Sequence, residues 1–157
     1  MRKNTEKVSI KGFFRVQIQD KESGKIVGDT GYIQNQVTNY GMLNCLVGTP
    51  ANAVAASSVQ IAGAMLGSGG DAIAATAVAL ASSLGSAWYS TLGATVNGST
   101  QAQFTQTFSN DTAVTIGNIG LLAATDGSLI AGKSYASSAL ATTQSVNMTY
   151  NLNYTTS

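Results

Sequence analysis

The closing segment of the chain, residues 145–155, sets the tightest limit on its fold. Val146, Met148, Tyr150, Leu152 and Tyr154 take every second position, and Asn147, Thr149, Asn151, Asn153 and Thr155 fill the gaps. A helix would scatter these side chains around its axis. Extended backbone sends neighbours to opposite faces, so only a strand gathers the apolar set on one side. One face is then wet and the other covered, the pattern of an antiparallel sheet packed on a second layer.

Other segments repeat this shape less regularly. Phe14, Val16 and Ile18 alternate with Arg15, Gln17 and Gln19 in a strand over 13–20; Lys21-Glu22-Ser23-Gly24 then turns the chain into a returning strand over 26–33, interrupted by Gly28 and Gly31. Val37, Tyr40, Met42, Leu43, Leu46 and Val47 are spaced nearer 3.6 than 2, with Gly48-Thr49-Pro50 as a stop. This predicts one short helix within 36–47, capped by Asn35 or Thr38. Gly41 in its middle costs about 1 kcal/mol relative to Ala. A strand over 58–66 ends at Gly67-Ser68-Gly69-Gly70, and the Ala-rich stretch 72–84 reads as irregular or a short helix. Trp88, Leu92, Ala94 and Val96 share a parity up to Asn97-Gly98, a type I′ turn signal, after which Phe104 and Phe108 mark the return. Val114 and Ile116 have the opposite parity to Ile119 and Leu121, so a bulge is expected at Gly117-Asn118. Asp126-Gly127 leads into a strand over 128–136.

Seven or eight strands with one short helix predict an all-β fold, an antiparallel β-sandwich of jelly-roll-like topology, because a single sheet would leave its apolar face in water. The expected inter-sheet core is Phe14, Val16, Ile18, Trp88, Phe104, Phe108, Val146, Met148, Tyr150 and Leu152. A chain of 157 residues fits one domain. Its expected division is an N-terminal flexible or docking arm over 1–11 and a sandwich over 12–157.

Charge is placed unevenly. Of the 15 charged residues, 11 fall in the first thirty, and the rest of the chain holds only Asp71, Asp111, Asp126 and Lys133. Soluble monomers usually carry charge on roughly a quarter of their surface residues. Here Ser, Thr, Asn and Gln must supply the polar surface, and such groups are dehydrated at little cost when a neighbour bonds them. The composition therefore points to a homo-oligomer docked on a larger surface, with a neutral monomer of unusual composition as the alternative. Arg2, Lys3, Lys7 and Lys11 form the candidate docking arm; they are too few, and too diluted by Glu6, for nucleic acid. Residues 1–7 precede no apolar stretch of the signal-peptide kind, and the longest apolar run, 72–81, is about half a bilayer span, so no membrane association is expected.

The chemistry of catalysis is sparse. There is no His, which removes the usual general base and His-based triads, and the lone Cys45 excludes an internal disulfide or a multi-Cys metal site. Cys45 lies on the apolar stripe of the predicted helix, where a thiol packs as a small inert hydrophobe. Asp71 beside Ser68-Gly69-Gly70, and Asp126 with Gly127, suit tight turns better than calcium, which wants several carboxylates. The Gly-rich 66–70 lacks the Lys-Ser/Thr ending of a phosphate loop. Asp20, Glu22 and Asp29 sit among lysines, where solvated ion pairs are the ordinary state. No catalytic residue, cofactor or metal is expected. Trp88, Tyr89, Tyr150 and Tyr154 would form an aromatic shelf for a sugar if exposed, but a sandwich needs such side chains as filling.

The order of several short motifs adds a resemblance. Val37-Thr38-Asn39-Tyr40-Gly41-Met42-Leu43 is followed by Ala64-Met65-Leu66-Gly67-Ser68-Gly69 and Ile116-Gly117-Asn118-Ile119-Gly120-Leu121, then by Gly127-Ser128-Leu129-Ile130-Ala131 and the closing alternating strand. Over most of the chain this succession resembles the small β-sandwich accessory and decoration proteins of tailed-phage virions. Asn118 stands where such sequences often have an acid, and Leu122 where an aromatic is frequent. The resemblance implies a non-enzymatic virion protein, made in the host cytoplasm, that binds the major capsid protein or another virion protein as a homotrimer. A tail or fibre component that binds a host-surface glycan is the alternative it leaves open.

Overall fold

The computed structural model describes residues 8–43, 61–109, 111–124 and 126–156. In chain order they form β1 (Val8–Asp20), β2 (Ile26–Asp29), β3 (Ile33–Gln34), β4 (Gln36–Val37), the single turn α1 (Asn39–Gly41), β5 (Ile61–Gly67), a 3₁₀ turn (Ser86–Trp88), β6 (Tyr89–Thr91), β7 (Gly93–Asn97), β8 (Gln101–Ser109), β9 (Val114–Ala123), β10 (Leu129–Leu140) and β11 (Gln144–Thr156). Two antiparallel sheets result. The first has the order β2-β1-β11-β8-β7 with β3 also beside β1, and the second has the order β4-β10-β9-β5-β6. The all-β sandwich with one short helix is the architecture that the alternating segments predict. The first and last strands are neighbours, and the chain passes between sheets after β3, β6, β8 and β10, while β7–β8 and β9–β10 are hairpins within one sheet.

The regular strands determine the core. β11 lies along the whole of β1, setting Phe14 against Tyr150, Val16 against Met148 and Ile18 against Val146. These alternate side chains turn inward to meet Ala64, Leu66, Ile116, Ile119, Leu121, Ile130 and Leu140 of the second sheet. The rings of Phe14 and Tyr150 stand 4.7 Å apart at 45°, a tilted pair that fills the centre. Eight of the ten expected core residues are buried, with Ile18 and Phe104 half-buried at the margins.

Several segments depart from expectation for identifiable reasons. The return over 26–33 is two short strands, because Gly31 adopts φ +63 and its N–H bonds back to Asp29, turning the chain between them. The helix is a single described turn whose cap is Thr38: its hydroxyl accepts from the Gly41 N–H at 3.0 Å and donates to the carbonyls of Leu129 and Ile130. Residues 44–47, including Cys45, lie outside the described residues. The β7–β8 hairpin forms, with Gly98 at φ +65, but Asn97 stays in β7 opposite Gln101 and the loop is the three residues 98–100, so the turn is not the two-residue type I′ turn expected of Asn97-Gly98. The segment before it does not continue β7; β6 pairs with β5 in the other sheet, and the chain changes layers at Leu92. At Gly117-Asn118 the ladder is irregular, but the extra residues belong to the partner strand, between Ser134 and Ser138 of β10. β9 itself is buried from Ile116 to Ala123 because the irregular Ala-rich segment folds over its outer side. There Leu80, Leu122 and Leu129 form a second apolar cluster with Met65, Ile73 and Ala77.

Candidate functional site

The outward face of the first sheet is built from the polar half of the alternating strands. Asn147, Thr149, Asn151 and Asn153 of β11 stand opposite Thr107, Thr105, Gln103 and Gln101 of β8. The Thr107 hydroxyl donates to Asn147 Oδ1 at 2.8 Å, Gln103 Nε2 to Asn151 Oδ1 at 3.0 Å, and Gln101 Nε2 to Asn153 Oδ1 at 2.9 Å. Asn147 Nδ2 carries the row across to Gln19 Oε1 at 2.7 Å, and Asn97 Nδ2 donates to Gln101 Oε1 at 3.1 Å. Each amide has part of its bonding capacity met by a neighbour. A partner laid on this face therefore displaces water from groups that are already bonded and uncharged, which keeps the desolvation penalty low.

Charge gathers at one margin of the same sheet. Arg15 Nη2 meets Asp29 Oδ2 at 2.6 Å, and Gln17 Nε2 donates to the same oxygen at 2.9 Å. The Arg15 hydrogen bond, with further help from the Gly31 N–H and Gln17, holds the Asp29 carboxyl far below its ordinary range. The Tyr32 ring lies 5.5 Å from the Arg15 guanidinium carbon, so the cation is shared between a carboxylate and an aromatic face. Lys21 bonds Asp111 at 3.0 Å and the Thr142 carbonyl at 2.8 Å, fastening the first hairpin to the turn before β11. Of the four candidate arm residues, Lys11 stands exposed in β1 opposite Asn153, while Arg2, Lys3 and Lys7 lie outside the described residues.

A cleft of about 390 Å³ opens between the sheets where β1 and β2 face β10. Val16, Ile18, Ile33 and Ile116 supply apolar lining, and Lys133, Ser134 and Asp29 contribute polar atoms. Sequence reasoning saw Lys133 only as an isolated charge. Its one available signal was that no other Lys or Arg follows Lys25. The cleft itself depends on which strand margins meet, and no motif encodes that.

The remaining sequence candidates separate in space. Trp88 and Tyr150 are core residues, 3% and 2% exposed, whereas Tyr89 and Tyr154 are each 37% exposed, so the four aromatics make no common shelf. Burial pushes the Tyr150 phenol well above its ordinary value. Asp126 is a turn residue that accepts the Ser128 N–H at 2.9 Å and the Tyr40 hydroxyl at 3.2 Å. The Ser128 N–H is the main cause of its lowered pKa. Asp71 enters the fold through its carbonyl, which accepts from the Ser134 hydroxyl. Among the described residues there is no group of three or more His, Cys, Asp or Glu placed to hold a metal, and no helix long and apolar enough to cross a membrane. No family model, no curated protein and no solved structure matches the chain.

Proposed function

We propose that the protein is a non-enzymatic structural component of a tailed-phage virion, a capsid decoration or accessory protein that assembles as a homo-oligomer on the shell. The observation that carries this reading is the neutral outward face of β8 and β11, where a row of amides and hydroxyls bonds across the strands. Such a face suits close packing against copies or a shell protein, since it carries hydrogen-bonding groups without a large field of one sign. The motif order of the sequence supplies the virion context, and the crowding of charge near the first hairpin supplies a docking arm.

The test is binding to shells assembled from the major capsid protein of the tailed phage whose virion contains this chain. Saturable sedimentation with a fixed stoichiometry is expected, and removal of residues 1–7, which leaves β1 intact, is expected to weaken it. Failure to saturate, or full occupancy without the arm, refutes the corresponding part of the reading. Cleavage of an oligosaccharide by the purified protein refutes the non-enzymatic assignment.

A further inference from the structure

We infer that β7 is a self-association edge, and that two copies join by antiparallel pairing of β7 with β7 into one continuous sheet. This specifies the partner in the homo-oligomer reading above and rests on it to that extent.

Three observations meet at this strand. First, β7 ends the first sheet: it pairs with β8 on one side, and among the described residues no strand occupies its other side. Its outward N–H and C=O groups are a template for another strand. Second, the usual defences of an edge are absent. The strand reads Gly93-Ala94-Thr95-Val96-Asn97, with no charge and no Pro, and its five pairs with β8 run without a register shift.

Third, β7 places apolar groups on the inward side without cover. The cross-strand row Leu152, Ala102, Val96 lies on the face that carries the core elsewhere in the sheet. Leu152 is 4% exposed, but Val96 at the end of the row is 78% exposed, and Ala94 beside it is exposed as well. The first sheet therefore projects past the second on this side.

A second copy satisfies all three conditions. With a two-fold axis through Thr95, Ala94 of each strand lies opposite Val96 of the other on the inward side. Gly93 lies opposite Asn97, and Thr95 opposite Thr95, on the polar side. This register matches apolar to apolar and polar to polar, and it brings no like charges together. Five residues on each side cover less than the roughly 1,600 Å² of a standard interface, so the pair forms weakly in dilute solution and fills at the high local concentration of an assembly. It gives a two-fold contact, distinct from the three-fold one implied by the resemblance.

Sedimentation velocity of the whole chain at up to about 0.5 mM tests this, a range where millimolar to micromolar association is visible. A species at twice the 16.0 kDa chain mass is expected. Thr95→Lys, an exposed substitution that sets like charges opposite each other across the axis, is expected to lower the association constant about fivefold or more. Thr95→Cys is expected to give an oxidised covalent dimer that the wild type, with Cys45 alone, does not give. A protein monomeric throughout overturns both this inference and the homo-oligomer reading. An oligomer insensitive to Thr95→Lys, with no Thr95→Cys cross-link, overturns the β7 contact and leaves self-association through another face.

Discussion

Replacing Gly41 by Ala should destabilise the protein, although helix propensity alone predicts a gain of about 1 kcal/mol. Gly41 is buried where α1 meets β10, and an added Cβ would lie 2.1 Å from the Ile130 carbonyl oxygen and 2.8 Å from its carbon. The obstacle is backbone, so it cannot rotate away. If the turn stays in place, the overlap costs about 1–3 kcal/mol, with a backbone obstacle favouring the upper end. If it retreats until the 2.1 Å approach becomes an ordinary contact of at least 3.4 Å, the bonds from Thr38 to β10 are lost. These are N–H to the Ile130 carbonyl at 2.9 Å and the hydroxyl to the carbonyls of Leu129 and Ile130 at 2.5 and 3.0 Å. At about 1 kcal/mol each, either route leaves a net loss of roughly 2 kcal/mol after the propensity gain. Urea unfolding followed by the fluorescence of Trp88, the single tryptophan and 3% exposed, measures it directly. The midpoint should fall at unchanged slope. Gly70→Ala, where a Cβ meets nothing within 4 Å, serves as the control and should change stability by less than about 0.5 kcal/mol. A Gly41→Ala midpoint equal to or above the wild type would refute the close-approach argument.

Two further outcomes follow from burial and charge. Phe14→Ala should cost about 3–5 kcal/mol, because Phe14 is fully buried against Tyr150, whereas the half-buried Phe104→Ala should cost about 2 kcal/mol; equal losses in chemical denaturation would contradict the placement of the core. Stability should be level from about pH 5 to about pH 9 and fall on both sides, since the chain has no His to titrate between them and the tyrosines that set the alkaline limb titrate only near 10.0 and above. On the acid side, Asp29, Asp20 and Asp126 have folded pKa values below the ordinary 3.8, so their contribution is complete above that value and disappears as pH falls through the folded ones. Asp29→Asn should make the acid limb shallower. On the alkaline side, burial raises Tyr135 and Tyr150 above the ordinary 10.0, so the stability they favour is present below that pH and is lost as pH climbs towards the folded values. Melting temperatures across the pH range check both limbs, and an acid limb unchanged in Asp29→Asn would count against the Arg15 pairing.

Where one face of a strand is wet and the other covered, alternation in the residues marks it: β11 and β1 carry the pattern that their burial demands, whereas β7 alternates although all five of its residues are exposed. β9 was less readable because it is covered on both sides. Once the Ala-rich segment packs Leu80 against Leu122, side-chain parity no longer reports which way a residue points. The change of layer at Leu92 was hidden for a related reason, since apolar residues on both sides of it kept an unbroken parity while the backbone moved from one sheet to the other. Gly41 showed the limit of local propensity, because its value lies in the distance to Ile130, a residue remote in sequence. The polar outward face was legible as a row of Asn and Thr, but its Gln partners on β8 became evident only with the register. The β7 edge and the Lys133 cleft depend on strand order and on which margins meet, and neither leaves a mark in residue type.

The placement of β11 has a consequence for how the molecule is made. It lies between β1 and β8, yet it leaves the ribosome after the ten other described strands. Until it emerges, β1 and β8 have a gap between them and the inward rings of Phe14 and Phe104 lack the Tyr150 that separates them. The first sheet must therefore zip shut after most of the chain has been synthesised, by long-range closure of the slow kind. A chain that stops before Gln144 would hold two unjoined sheet fragments with open edges, a substrate for proteases and chaperones.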